Sequence, residues 1–120
     1  MKEKIRFINN DFLEFKNPFG ENIDLVFLSP PWGGSSYLSE GVYDLSKMKP
    51  DFKRILKKSF EISKNVILFL PRSTDLNQLC DYIDTVFPSK STYLTVESVI
   101  YETSSILGLI IYIGPLFMVF

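Results

Sequence analysis

A chain of 120 residues is long enough for one compact domain and too short for two. At 46% hydrophobic, 22% charged and 15% aromatic it has the balance of a globular protein and not of a disordered tail, and a net charge of −1 gives polyanions no overall field to follow. One cysteine and no histidine exclude an intrachain disulfide, a Cys/His metal centre and any nucleophile activated by histidine.

The N-terminal stretch MKEKIRFINNDF lacks the continuous apolar core of a signal peptide. Within it, Ile5 to Ile8 reads as a short strand, followed by a polar turn at Asn9-Asn10-Asp11. Asn17-Pro18-Phe19-Gly20 marks a loop. Asp24 to Leu28 is apolar without alternation, the pattern of a strand buried on both faces of a parallel sheet. Ser29-Pro30-Pro31-Trp32-Gly33-Gly34 then breaks the strand, because proline cannot donate to the ladder. Ser35 to Lys49 is expected to be loop.

Pro50 suits the first turn of a helix, and Phe52, Ile55, Leu56 and Phe60 recur at helical spacing behind it. Val66 to Leu70 is a further unbroken apolar strand, closed by Pro71. Ser73 or Thr74 can cap a second helix whose stripe is Leu76, Leu79, Cys80 and Ile83, which would put Cys80 in the core. The last strands, about Tyr93 to Tyr101 and Leu107 to Ile113, lie too close in sequence for a crossover and should form an antiparallel hairpin. The uncharged run from Ile106 to Phe120 is 15 residues long and interrupted by Gly108, Gly114 and Pro115. A membrane span needs about 20 apolar residues. A soluble intracellular protein, nuclear or cytoplasmic and without membrane attachment, is the expectation.

The order β-β-α-β-α-β-β, with apolar strands alternating with amphipathic helices, predicts an α/β sheet with helical cover. In open sheets of that kind ligands collect outside the carboxyl ends of the strands. Asn9 to Phe12, Ser29 to Gly34 and Pro71 to Thr74 all fall there.

The turn after Leu28 has a chemistry of its own. The Ser29 side chain and the carbonyl of Pro30 can both accept hydrogen bonds from an exocyclic –NH2, and Pro30 and Pro31 fix φ so that these acceptors do not relax away. An amine held by both hydrogens presents its lone pair to an electrophile. Trp32 can stack on the base that carries the amine, and a cationic base adds a cation–π component. Gly33 and Gly34 let the backbone approach a ligand closely. The same residues would also make a rigid turn whose tryptophan lids the core.

Asp/Asn/Ser-Pro-Pro-aromatic resembles the motif of amino-group methyltransferases that use S-adenosylmethionine. The form SPPWGG followed by Tyr37 resembles, more narrowly, the trimethylguanosine synthase family, which methylates N2 of 7-methylguanosine RNA caps. Phe7-Ile8 with Asp11-Phe12-Leu13, Tyr43-Asp44-Leu45, and Leu68-Phe69-Leu70-Pro71-Arg72 with Asp75 and Gln78 are similar to further family segments, so the resemblance spans residues 5 to 114. Ser35 and Ser73 stand where the family usually has Pro and Asn.

The resemblance implies a partial class I, Rossmann-like methyltransferase sheet, with residues 1–120 as a single partial domain. No G-x-G-x-x-G follows any strand, so the N-terminal β-α-β cofactor half is expected to be missing. It implies catalytic Ser29, Pro30, Pro31 and Trp32. Asn10, Asp11, Phe12 and Ser29 would hold S-adenosylmethionine, and Trp32, Gly33, Tyr37 and Arg72 would hold a capped RNA. No metal is implied. A second chain or a missing N-terminal segment would complete the sheet. Asp11 reads equally as an Asx turn and Arg72 as a surface cation. The cations Lys47, Lys49, Lys53, Arg54, Lys57 and Lys58 stand against Asp51 alone and read either as an RNA guide or as a solvated helix face. Another amino-group methyltransferase, acting on a different nucleobase or on glutamine, and a non-catalytic interaction module are the alternatives.

Overall fold

A computed structural model describes residues 4–18, 20–33, 41–87, 94–100 and 106–117. Among these residues four strands and two α-helices make a two-layer α/β unit: β1 (Val26–Leu28), α1 (Phe52–Ile62), β2 (Val66–Pro71), α2 (Leu76–Val86), β3 (Leu94–Ile100) and β4 (Ile106–Ile113). The sheet order is β1-β2-β4-β3. β1 runs parallel to β2, and β4 is antiparallel to both β2 and β3, so the C-terminal hairpin forms as expected.

Register decides which side chains share a face. Val26 lies opposite Val66, Leu68 opposite Ile111, and Leu70 opposite Leu109. These residues, with Ile113, point to one side and join Phe52, Ile55 and Leu56 of α1 and Leu79 and Ile83 of α2 in one buried cluster. The opposite face carries Phe27, Ile67, Phe69, Ile110 and Tyr112, half-buried except Phe27, which is 60% exposed. The expectation that β1 is buried on both faces is therefore corrected. Among the described residues both helices cover the same side, so every second residue of β1 and β2 keeps contact with solvent.

Both helices start on an aspartate. The Asp51 carboxylate accepts from the Arg54 amide, so α1 begins one residue after Asp51 and Pro50 stands outside it. Asp75 accepts from the amides of Asn77 and Gln78, and it, not Ser73 or Thr74, caps α2. Satisfying two orphan N–H groups outweighs what a hydroxyl could offer here, and the Thr74 hydroxyl is used instead to donate to the Pro71 carbonyl at 2.6 Å. The buried stripe of α2 is turned from its expected position: Tyr82 and Val86 join Leu79 and Ile83 against the core, and Cys80 is exposed. Tyr82 sits 6.2 Å from the ring of Phe52, so this side of α2 faces α1, and Cys80, two residues earlier and nearly opposite around the helix, faces outward.

Two further expectations are corrected. Ile5 to Ile8 is not a strand; the segment is irregular and exposed, with Phe7 at 92%, because it pairs with no strand among the described residues. The stretch read as simple loop before Pro50 contains core: Tyr43, Leu45 and Met48 are buried, and a 3₁₀ turn covers Leu45–Lys47. Tyr43 makes a parallel bridge to Thr74, with the Tyr43 amide donating to the Ser73 carbonyl at 2.8 Å. The C-terminal apolar run enters the sheet as β4, and no helix among the described residues is long and apolar enough to cross a membrane.

Candidate active site

The segments expected at the carboxyl end of the sheet meet in part. Ser29, Pro30 and Pro31, directly after β1, line a hollow of about 200 Å³ together with Asp11, Phe12, Leu13, Leu28, Pro50 and Ile55. Phe12–Glu14 forms a short 3₁₀ turn started by Asp11, whose carboxylate accepts the Leu13 amide at 3.0 Å. Asp11 is thus an Asx-type cap and a wall of the hollow at once. The Asn10 side chain accepts the Asp11 amide at 2.9 Å and does not line the hollow. Pro30 is buried and Ser29 exposed, which seats the turn through a proline ring and leaves the serine hydroxyl at the surface.

Trp32 stands beside this hollow and not in it. Its indole N–H donates to the Phe69 carbonyl at 3.2 Å, and its ring lies 5.2 Å from that of Phe69 at an interplanar angle of 39°. Trp32 is accordingly half-buried, one edge fixed to β2. The fold offers it Phe69, on the sheet face that neither α1 nor α2 covers, as an apolar support. Gly33 has a φ of 89°, a left-handed conformation that a side chain would strain. Tyr37 and Gly34 lie outside the described residues. Arg72 is exposed in the turn after β2 and is not part of the hollow.

The turn is held from below by residues whose role was not read from the sequence. The buried Tyr43 hydroxyl donates to the Trp32 carbonyl at 3.0 Å. Gln78 of α2 then locks the segment after Tyr43: its side-chain oxygen accepts the Leu45 amide and its NH2 donates to the Asp44 carboxylate, both at 2.8 Å. Hydrogen bonds from Gln78, and then from Ser46, hold the Asp44 carboxyl at about 2, below the ordinary carboxylate range. The one available signal was the co-occurrence of Tyr43-Asp44-Leu45 with Gln78, and a separation of more than 30 residues gave no reason to pair them.

The model of a family described as RNA cap guanine-N2 methyltransferase matches residues 1–115. A trimethylguanosine synthase of Saccharomyces cerevisiae is 55% identical over 58 residues, 47% of this chain and 18% of the relative. A trimethylguanosine synthase of Schizosaccharomyces pombe is 42% identical over 83 residues, 66% of this chain and 35% of the relative. The matched part thus spans about a third or less of the length of these relatives. A mixed four-stranded sheet with two helices is what part of a Rossmann-like methyltransferase fold provides. With the motif at the end of β1 and a family match over nearly its whole length, the chain belongs to the RNA cap guanine-N2 methyltransferase family.

Proposed function

We propose that this chain forms the acceptor side of a methyltransferase acting on N2 of 7-methylguanosine-capped RNA, within a domain that residues 1–120 build only in part. The convergence of Ser29, Pro30 and Pro31 with Asp11 and Phe12 on one hollow, next to an anchored Trp32, carries this reading. The Ser29 hydroxyl and Pro30 carbonyl accept the two hydrogens of the exocyclic amine and direct its lone pair outward. Trp32 stacks on the base, worth roughly 1–3 kcal/mol for a nucleobase, and the positive charge of 7-methylguanine adds a cation–π component. Gly33 brings backbone close to the ligand, Tyr37 is a further residue for the base, and Arg72 pairs with cap phosphate as a bidentate fork. Rate comes from positioning, in a site without a histidine to serve as base.

S-adenosylmethionine is the methyl donor, and when bound it supplies an electrophilic methyl group. The hollow would take one part of it: Phe12 and the proline rings would flank its adenine, Asp11 would accept from the adenine amino group, and Ser29 would face the transferred methyl. Asn10 supports this wall through the Asp11 amide. Sites that enclose a whole small molecule start at about 300 Å³, against about 200 Å³ here, so the isolated chain binds the donor weakly. Calorimetry tests this, and micromolar affinity for the donor overturns it.

Two acceptors around an –NH2 do not by themselves choose the ring, so an amino-methyltransferase for another base or for glutamine is the second reading. Trp32 is the single tryptophan, and its fluorescence separates the two. A 7-methylguanosine cap analogue is expected to quench it at concentrations where adenosine, cytidine and a glutamine peptide do not. Equal or absent quenching by the cap analogue refutes the cap assignment. A non-catalytic module draws support from the 60% exposure of Phe27 and the unpaired outer edge of β1 among the described residues, features that a further segment or a second chain would cover. Self-association in light scattering, without cap quenching, would favour that reading.

A further inference from the structure

The helical layer segregates its charge. α1 carries Lys53, Arg54, Lys57 and Lys58 against Glu61 alone, whereas α2 carries Asp81 and Asp84 and no cation. In a chain of net charge −1 the surface of α1 is therefore a local positive field, beside a negative one. Lys53, Arg54 and Lys57 are exposed. The Lys53 ammonium lies 4.8 Å from the centre of the Tyr82 ring, which ties it to the seam with α2. Arg54, Lys57 and Lys58 follow at i, i+3 and i+4, a spacing that puts all three on one side of the helix.

These three cations, with Leu13 and Glu61, surround a second hollow of about 230 Å³. Leu13 lines both hollows, and Ile55 of α1 is part of the first, so the basic hollow adjoins the candidate site through a single apolar side chain and a shared helix. Lys58 and Glu61 are 3.9 Å apart. The Glu61 side chain is 55% exposed and that of Lys58 19%, so solvent reaches the pair and an incoming phosphate can take over the Lys58 ammonium.

We infer that this face of α1 is the docking surface for the phosphodiester backbone of the RNA whose cap guanine is held at the Ser29–Trp32 turn; the inference rests on the proposed function. Arg54 and Lys57 contact phosphates directly, Lys58 does so after leaving Glu61, and Leu13 gives an unstacked base an apolar surface. Specificity stays with the turn, because phosphate contacts position a nucleic acid and carry no sequence information. α2, on the same layer, repels the strand and confines it to α1.

The test compares a cap mononucleotide with a capped single-stranded oligonucleotide of about ten nucleotides, read by Trp32 quenching for the former and fluorescence anisotropy of labelled RNA for the latter. Each phosphate contact contributes about 0.7 to the slope of log affinity against log salt for single strands. The triple variant Arg54→Gln/Lys57→Gln/Lys58→Gln is expected to lower that slope by about 2 and to weaken oligonucleotide binding at least tenfold at low salt, with the mononucleotide unaffected. Lys57→Gln alone is expected to lower the slope by about 0.7. It guards against misfolding of the triple variant, and Asp81→Asn/Asp84→Asn is expected to leave the slope unchanged. An unaltered slope in both α1 variants overturns the inference, as does a polyglutamate peptide that competes as well as RNA of equal charge. Failure of the cap reading looks different: the mononucleotide leaves Trp32 unquenched while the triple variant still lowers the slope for uncapped RNA.

Discussion

Replacing Tyr43 by Phe isolates one hydrogen bond of the turn that bears Trp32. The ring of Tyr43 is 4% exposed and stays in place, since Phe matches it apart from the hydroxyl. The loss is the O–H donor that meets the Trp32 carbonyl at 3.0 Å. A neutral hydrogen bond contributes about 1 kcal/mol net, and this carbonyl is only part-buried, so water recovers some of the loss. For a chain of 120 residues the unfolding entropy is about 0.25 kcal/mol/K, so Tm should fall by about 4 °C or less in differential scanning calorimetry. If the hydroxyl also sets the pose of the indole, the dissociation constant for a 7-methylguanosine analogue rises by up to about fivefold, the same energy read through binding. The emission maximum of Trp32 should shift as well, because its edge against Phe69 is less firmly held. A variant with wild-type Tm, emission and quenching refutes the clamp. A lower Tm with unchanged quenching confines the hydroxyl to stability and refutes its part in the pose.

Three other outcomes follow from the same geometry. Gly114 has a φ of +123°, and a Cβ there would run into the Lys64 carbonyl and approach the Asn65 side-chain oxygen to 2.6 Å, so Gly114→Ala should cost about 3 kcal/mol and lower Tm by more than 10 °C. Asn65 also accepts the Leu116 amide and donates to the Asp24 carbonyl, so chemical shifts at the start of β1 should move with it. Asp44 has its pKa depressed from 3.8 to about 2, so its stabilising contribution is present above pH 4 and is lost as pH falls from about 4 to 2. Acid titration of Tm should therefore be shallower over that window in Asp44→Ala than in the wild type, and parallel curves would remove Asp44 from the latch. Ser29→Ala keeps the proline-fixed turn but removes one of two amine acceptors, so cap-analogue binding by Trp32 quenching should weaken about fivefold without loss of Tm.

Local chemistry made much of this protein legible before folding. Prolines marked the ends of β1 and β2, with Pro71 itself the last residue of β2, helical spacing located α1, and the short link before β4 made an antiparallel hairpin unavoidable. The SPPWGG turn carried its chemistry in its residue types, since acceptors, rigid φ and a large aromatic need no distant partner to be recognised. Ile5 to Ile8 failed as a strand for the opposite reason: a ladder needs a neighbour, and alternation cannot report whether one is present. Cys80 left the core because Tyr82, two residues on and nearly opposite it around α2, packs toward Phe52 of α1. Tertiary structure alone decided that Trp32 is fastened to Phe69, that Tyr43 holds its carbonyl, and that Gln78 reaches across to Asp44 and Leu45. Each of those contacts joins segments that meet only in the folded chain, and sequence patterns of period two or 3.6 carry no record of that meeting.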